Sequence, residues 1–295
     1  METRSLTAEE RESFAPVFAY VGADEPVRVV DTKLGKEYDV FVFTRDGQTL
    51  LVKKVNPKRR ELAIFREYFA GRHFAVPVIL DEMTVGEERW LLLPYIDGPD
   101  ARGCTPTDAA KIAGALAEIQ SAYFGRDGQM GELKKYFAWV QSGCDGLRSY
   151  FPELDAVWER ARARFFSAPR TLVHDDLLPI NVLLSGNGPV IIDWETAGIY
   201  PYFLDLARFA LVIHDGTPYV SREAADAFFA AYYRAMRRNP AFAISEEQYA
   251  IDVALSTLVQ YLSFVDTRLP VEEMRETEDG RILLDVVRFL SDKLL

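Results

Sequence analysis

Sulfur and imidazole are scarce in this chain. Cys104 and Cys144 are the two cysteines among 295 residues, too few for a disulfide framework. Three histidines, His73, His174 and His214, stand at no zinc-type spacing from them or from one another. No apolar run approaches the ~18 residues of a membrane span. The opening METRSLTAEERESF is polar and charged, unlike a secretory signal, so a cytoplasmic protein is expected. Positive charge is also short: 34 Lys and Arg against 45 Asp and Glu leave 34 − 45 = −11. Such acidity repels nucleic-acid phosphates and anionic membranes, and neither is an expected partner. A Walker G-x-x-x-x-G-K-[ST] motif is missing, which disfavours the P-loop class.

What is present is ample apolar material, 49% of residues with 13% aromatic, enough to bury cores in two lobes. Residues 5–20 have the pattern of a short amphipathic helix capped by Ser5 or Thr7. From Val27 to Val55, three Val-, Phe- and Thr-rich runs are divided by Gly and Asp, with Arg45-Asp46-Gly47 as a hairpin turn. PKRRELAIFREYFAGRH then reads as a helix, and AVPVILDEMTVGEERWLLLPYIDG as two strands meeting at Gly86. Residues 27–93 thus spell β-β-β-α-β-β, a five-stranded antiparallel sheet. Beyond Gly98 the periodicity is helical, in DAAKIAGALAEIQSAYF, DAVWERARARFF, AADAFFAAYYRAMRR, EEQYAIDVALSTLVQYLSFV and ILLDVVRFLSDKLL. The acidic run 272–280 reads as a solvated loop. The lobe boundary falls near Pro94, dividing the chain into 1–93 and 94–295. Residues 1–93 carry 14 basic and 16 acidic residues, net −2, and residues 94–295 carry 20 and 29, net −9.

The chemistry concentrates in LVHDDLLPINVLLSGNGPVIIDWE, residues 172–195. His174-x-Asp176 is followed by four residues and Asn181, and Asp193 comes twelve residues later. The apolar runs VLL and VII flank a Ser-Gly-Asn-Gly turn, and such a hairpin places Asn181 and Asp193 at neighbouring strand ends. Phosphoryl transfer needs one carboxylate to receive the proton of the attacking hydroxyl. It also needs an amide oxygen and a second carboxylate to hold Mg²⁺ on the nucleotide phosphates. H-x-D-x-x-x-x-N is the kinase catalytic-loop spacing, and Asp193-Trp194-Glu195 stands where kinases have Asp-Phe-Gly.

HDDLLPIN…VIIDWE…DLAR resembles the aminoglycoside phosphotransferase and choline kinase-like family, which has a protein-kinase-like fold. The resemblance spans roughly residues 20–290 and is strongest at 172–208. It implies an α+β, bilobal fold, with a small antiparallel β-sheet N-lobe for nucleotide and a mainly helical C-lobe for catalysis and acceptor binding. It implies Asp176 as catalytic base, Asn181 and Asp193 as Mg²⁺ ligands, and Asp205 as a structural buttress of the loop. His174 then supports the loop and does no chemistry. Where the family has His-Gly-Asp, this chain has His174-Asp175-Asp176. A strand lysine should steady the phosphates of ATP, with GTP as an alternative, and pair with a helix glutamate. Lys53 or Lys54 and Glu61 or Glu67 are available, and family spacing favours Lys53 and Glu61. PYIDG resembles the lobe-connecting hinge. Pro94 has no N–H, so Tyr95 or Ile96 would donate to a purine. DTKLGKEYDV, with Gly35 alone, is a poor phosphate loop.

These features imply ATP-dependent transfer of the γ-phosphoryl group to a hydroxyl of a small molecule. An acidic helical half suits an aminoglycoside or another cationic antibiotic. A metabolic kinase acting on choline, ethanolamine, a sugar or an amino-alcohol is the alternative. A nucleotide-binding pseudoenzyme ranks below both, because the base and both metal-ligand positions are present. A protein kinase is disfavoured, since no A-P-E follows Asp193.

Overall fold

Pro16 decides how the chain begins. It lacks an N–H and its ring crowds the preceding turn, so the expected helix over 5–20 becomes two, α1 (Ala8–Ser13) and α2 (Ala15–Val21), broken at Phe14. Thr7 caps α1 in a reciprocal box. Its side chain accepts from the Glu10 N–H at 3.2 Å, and Glu10 Oε2 accepts from the Thr7 N–H at 2.8 Å. Residues ahead of the cap form β1 (Glu2–Ser5), antiparallel to β2 (Asp24–Asp31). The sheet therefore has six strands where five were expected. ETRS carries no apolar alternation, and its pairing is visible only once Arg4 is seen bound to both Glu10 and Glu37.

The computed structural model describes residues 2–31, 35–126, 145, 151, 154–211, 213–214, 217–262 and 271–295. They divide into two compact units, Met1–Asp100 with Ile180–Thr196, and Ala101–Pro179 with Ala197–Leu295.

In the first unit, β3 (Lys36–Arg45) and β4 (Gln48–Lys54) turn at Asp46-Gly47, both at positive φ, as a tight hairpin requires. β5 (Asp81–Val85) and β6 (Glu88–Pro94) complete an antiparallel sheet of order β1-β2-β3-β4-β6-β5. AVPVIL stays outside the strands, since Pro77 cannot donate to a ladder. One sheet face packs Phe41, Val52 and Trp90 against the helical Phe18, with Phe14 beside them. The opposite face carries Leu51, Val55, Leu91 and Leu93 against Leu62. Leu62 lies on α3 (Glu61–Ile64), which widens into a π-turn over Phe65–Phe69. The hairpin β8 (Val182–Ser185) and β9 (Gly188–Ile191) belongs to this unit. It is held to the segment after β6 at Gly98, where an added Cβ would sit 2.2 Å from the Leu184 carbonyl oxygen. The Leu184 N–H donates to the Pro99 carbonyl at 2.8 Å.

The second unit is largely helical. It contains α4 (Pro106–Ala122), α5 (Leu154–Ser167), α6 (Leu204–Ala210), α7 (Arg222–Met236), α8 (Glu246–Leu262), α9 (Val271–Glu276) and α10 (Glu278–Leu294). β7 (Arg170–Val173) pairs antiparallel with β10 (Gly198–Pro201), and a short bridge joins β11 (Ile213–His214) to β12 (Thr217–Pro218). The acidic stretch 272–280 is helical rather than a loop. Thr277 caps α10, and Gly280 lets that turn press against the Met274 carbonyl. At the core, buried Asp252 accepts from Arg164 at 2.8 and 2.6 Å and from the Tyr202 hydroxyl at 2.7 Å. Cys104 is buried here, and burial pushes its thiol up, as befits an inert cysteine. Cys144 and residues 263–265 of the expected sixth helical run lie outside the described residues. Among the described residues, no helix is long and apolar enough to cross a membrane.

Candidate active site

Strand alternation settles which lysine meets the helix. On β4, Lys53 shares a face with Leu51 and Val55, the face that packs on α3. Its Nζ lies 2.9 Å from Glu61 Oε1 and 2.6 Å from Asp193 Oδ1. Lys54 points the other way and pairs with Glu88, with Asp39 at 3.8 Å. Burial pushes the Lys53 ammonium down, but the carboxylates of Glu61 and Asp193 outweigh it and hold the group above its ordinary value. Glu61 is only 5% exposed, so without this partner it would be a buried, uncompensated charge. Glu67 lies on the exposed side of the π-turn.

The hairpin supplies the next pair. Val182 pairs with Ile191, and the Ile192 N–H donates to the Asn181 carbonyl at 2.9 Å. Asn181 and Asp193 therefore flank adjoining strand ends, as their spacing predicts. Asp193 sits at φ +65°, a left-handed conformation that aspartate adopts more readily than most residues. The following turn, Trp194–Thr196, is bolted to α3. The Arg60 N–H donates to the Glu195 carbonyl at 3.2 Å, and Trp194 meets Phe69 edge-on with ring centres 4.8 Å apart. That anchoring brings Asp193 to Lys53 across 140 residues of sequence. Burial, then repulsion from Asp193, pushes the Glu195 carboxyl up against the opposing charges of Lys53 and Arg59.

In the second unit, the loop after β7 carries His174-Asp175-Asp176. Buried Asp205, on α6, accepts from the His174 N–H at 2.9 Å, the Asp175 N–H at 3.0 Å and the Gln120 side-chain amide at 3.1 Å. Burial pushes its carboxyl up, opposed by His174 and the two amides. The His174 Nδ1 accepts from the Asp176 N–H at 3.3 Å, so the ring braces the loop. Asp175 stands at φ +65°, which explains why a glycine suits this position in the family pattern.

Two neighbours were not read from the sequence. Arg208, one turn after Asp205 on α6, directs Nε (3.1 Å) and Nη2 (2.5 Å) at Asp176 Oδ1. Its signal was available, since DLAR places Asp205 and Arg208 on one helix face at i, i+3. Tyr38, on β3, feels Asp193: partial burial and the charges of Asp31 and Asp193 push its phenol up. That neighbour had no sequence signal. At the hinge, the Tyr95 N–H donates to the Thr49 carbonyl at 3.2 Å, which continues the β4–β6 ladder and leaves Ile96 as the next amide along. Residues 32–34 of the weak phosphate loop lie outside the described residues.

Asn181 and Asp193 offer an amide oxygen and a carboxylate, hard donors that suit Mg²⁺, which takes few protein ligands beside water and phosphate. The Asp193 side chain keeps 37% exposure despite its lysine partner, so the donor set fits the ion.

A small antiparallel sheet with a lysine–glutamate pair, a hairpin bearing Asn and Asp at its ends, and a His-Asp-Asp loop in a helical unit define a phosphotransferase of the protein-kinase-like fold. The chain belongs to the phosphotransferase enzyme family, designated APH, whose model matches residues 33–242. It is similar to the aminoglycoside phosphotransferase from Alicyclobacillus acidocaldarius subsp. acidocaldarius DSM 446, with 16% identity, coverage of 99% of this chain and 98% of that one, and a TM-score of 0.57. The choline kinase from Cryptosporidium parvum Iowa II aligns at 15% identity over 90% and 87% of the two chains, with a TM-score of 0.54. A thermostable mutant of aminoglycoside phosphotransferase APH(4)-Ia, in ternary complex with ADP and hygromycin B, aligns at 15% identity over 94% and 96%, with a TM-score of 0.52. No protein of curated function matches the chain.

Proposed function

We propose that this protein transfers the γ-phosphoryl group of ATP to a hydroxyl of a small, cationic acceptor, of which an aminoglycoside-like antibiotic is the leading example. The observation that carries the reading is Lys53 Nζ placed between Glu61 Oε1 and Asp193 Oδ1, at 2.9 and 2.6 Å. A half-buried lysine fixed by one carboxylate and aimed at a second is the arrangement that steadies nucleotide phosphates in kinases. Glu61 orients the ammonium and Lys53 holds the phosphate oxygens. Ile96 offers its N–H to the base, since Tyr95 gives its own to Thr49. Asn181 and Asp193 hold Mg²⁺, which when bound neutralises charge on the transferring phosphoryl group.

Asp176 receives the proton of the acceptor hydroxyl. Arg208 clamps one oxygen of its carboxylate, which fixes the orientation of the base. Asp205 and His174 hold the loop backbone beneath it. Little covalent work falls to the protein, so the rate comes from positioning and charge stabilisation. ATP is favoured by the similar APH(4)-Ia complex, which holds ADP beside hygromycin B. A cationic acceptor is favoured by the net −9 of residues 94–295, from 20 basic and 29 acidic residues. Choline or ethanolamine remains the second reading, supported by the structural likeness to a choline kinase.

The test is Mg²⁺-dependent consumption of ATP or GTP across aminoglycosides, other basic antibiotics, choline, ethanolamine, homoserine and sugars. Turnover with one acceptor class is expected, reduced at least about 10²-fold in Asp176→Ala. Nucleotide binding without turnover on any acceptor would favour the pseudoenzyme. Failure to bind nucleotide would overturn the assignment of Lys53, Asn181 and Asp193.

A further inference from the structure

The helical unit is acidic as a whole, yet the charged residues lining one open groove in it are all cations. Its volume is about 570 Å³, and its walls are the first turns of α4 and the last turns of α7 with the residues just beyond. Ala110, Gly114, Ala231 and Ala235 line it with no side chain beyond a methyl group, so two helices packed together still leave a concavity. Lys111, Arg234 and Arg238 project around this lining, and no Asp or Glu is among the lining residues. Pro106 and Thr107 add the opening turn of a 17-residue helix, where backbone N–H groups and the helix dipole favour an anion.

Of the three charges, only that of Lys111 is offset in place among the described residues. Asp108 offsets Lys111 at 3.2 Å while also accepting from the Thr105 hydroxyl. Arg234 and Arg238 have no carboxylate partner among the described residues. Arg234 lies in the last turn of α7 and Arg238 two residues past its end, so two like charges border the same groove and repel. A multivalent anion removes that repulsion, and guanidinium groups match phosphate oxygens in pairs. The volume lies in the range of small-ligand sites. None of these residues belongs to the Lys53, Asp176 or Asp193 sets.

We infer that this groove is a second ligand site, separate from the phosphotransfer residues, that takes an oligophosphate: the phosphate tail of a nucleotide or a free inorganic chain. Arg234 and Arg238 carry the recognition, and Lys111 with the α4 N-terminus supports it.

The probe is inorganic tripolyphosphate, titrated calorimetrically into the full chain carrying Lys53→Met, so that the phosphotransfer lysine contributes nothing. Saturable binding at low ionic strength is expected, weakening as salt rises. Adding Arg234→Ala and Arg238→Ala should weaken it at least about tenfold, with the melting temperature showing that the variant folds. Equal affinity for tripolyphosphate and ATP would identify the phosphate chain alone as the recognised group. Tenfold tighter ATP that is lost with the Arg234→Ala and Arg238→Ala substitutions would identify a nucleotide at the groove, and tighter ATP untouched by them would assign that binding to the phosphotransfer residues and overturn the site. Affinity unchanged by the double substitution, loss of binding in Lys53→Met alone, or binding of a polyglutamate peptide with tripolyphosphate inert would each overturn it.

Discussion

Lys53 and Lys54 are chemically identical neighbours, and the strand gives them opposite fates. One is enclosed between two carboxylates, and the other bridges Glu88 and Asp39 on the far face. Lys53→Met should therefore lower kcat/KM for nucleotide by about 10²-fold or more, in line with losing a preorganised charge at the phosphates. Lys54→Met should leave it within about threefold, since partly exposed pairs contribute little. Steady-state kinetics with varied ATP checks both. Asp175 offers a different experiment. Its φ of +65° costs a non-glycine residue about 1 kcal/mol. Asp175→Gly should raise the melting temperature by about 1–3 °C, and Asp175→Val should lower it, both read by calorimetry. The Gly variant also tests whether the extra carboxylate beside Asp176 shapes acceptor choice, because it restores the family's His-Gly-Asp.

At the scale of elements, the N-terminal strand is held by charge rather than by an apolar face. Glu10 on α1 accepts from Arg4 of β1 and from Arg28 of β2. Hydrogen bonding to Arg4, then to the Thr7 N–H, holds its carboxyl well below the ordinary 4.5. The sign follows from linkage. A depressed folded value means that the contribution is complete above the unfolded carboxylate range, declines below it, and is lost as pH falls through the folded value. Glu10→Gln should thus lower the melting temperature at pH 7, and the difference from the parent should shrink steadily toward pH 3. A difference that persists undiminished in acid would place the effect in the capping box alone. The same element shows where sequence reading stopped. ETRS has no alternation of polar and apolar residues to mark it as a strand, and the break between α1 and α2 turned on one proline inside a periodic stretch. By contrast β2 to β4, α4 and α7 were legible, because their apolar periods match their buried faces. The 272–280 run misled for the converse reason: charge density suggested solvent, while Met274 packs fully buried and Thr277 caps the next helix.

For the whole molecule, charge is the property that the sequence states outright. If the proposed acceptor is cationic, the −9 carried by residues 94–295, 20 basic against 29 acidic, should steer it. Its kcat/KM should then fall several-fold between about 20 and 200 mM salt, while that of a neutral sugar should not. Measuring both in one buffer series separates steering from a general salt effect. By itself, the sequence determined the protein-kinase-like phosphotransferase class, which the family match bears out, and it marked Asp176, Asn181 and Asp193 as the candidate residues. Spacing within one contiguous stretch is local information, and phosphoryl transfer demands few residue types in a fixed order. The tertiary structure alone decided which lysine and glutamate pair, that Arg208 grips Asp176, and that Lys111, Arg234 and Arg238 share a groove. Those facts depend on which faces meet across tens to hundreds of residues, and facing is set by packing, to which sequence separation is blind.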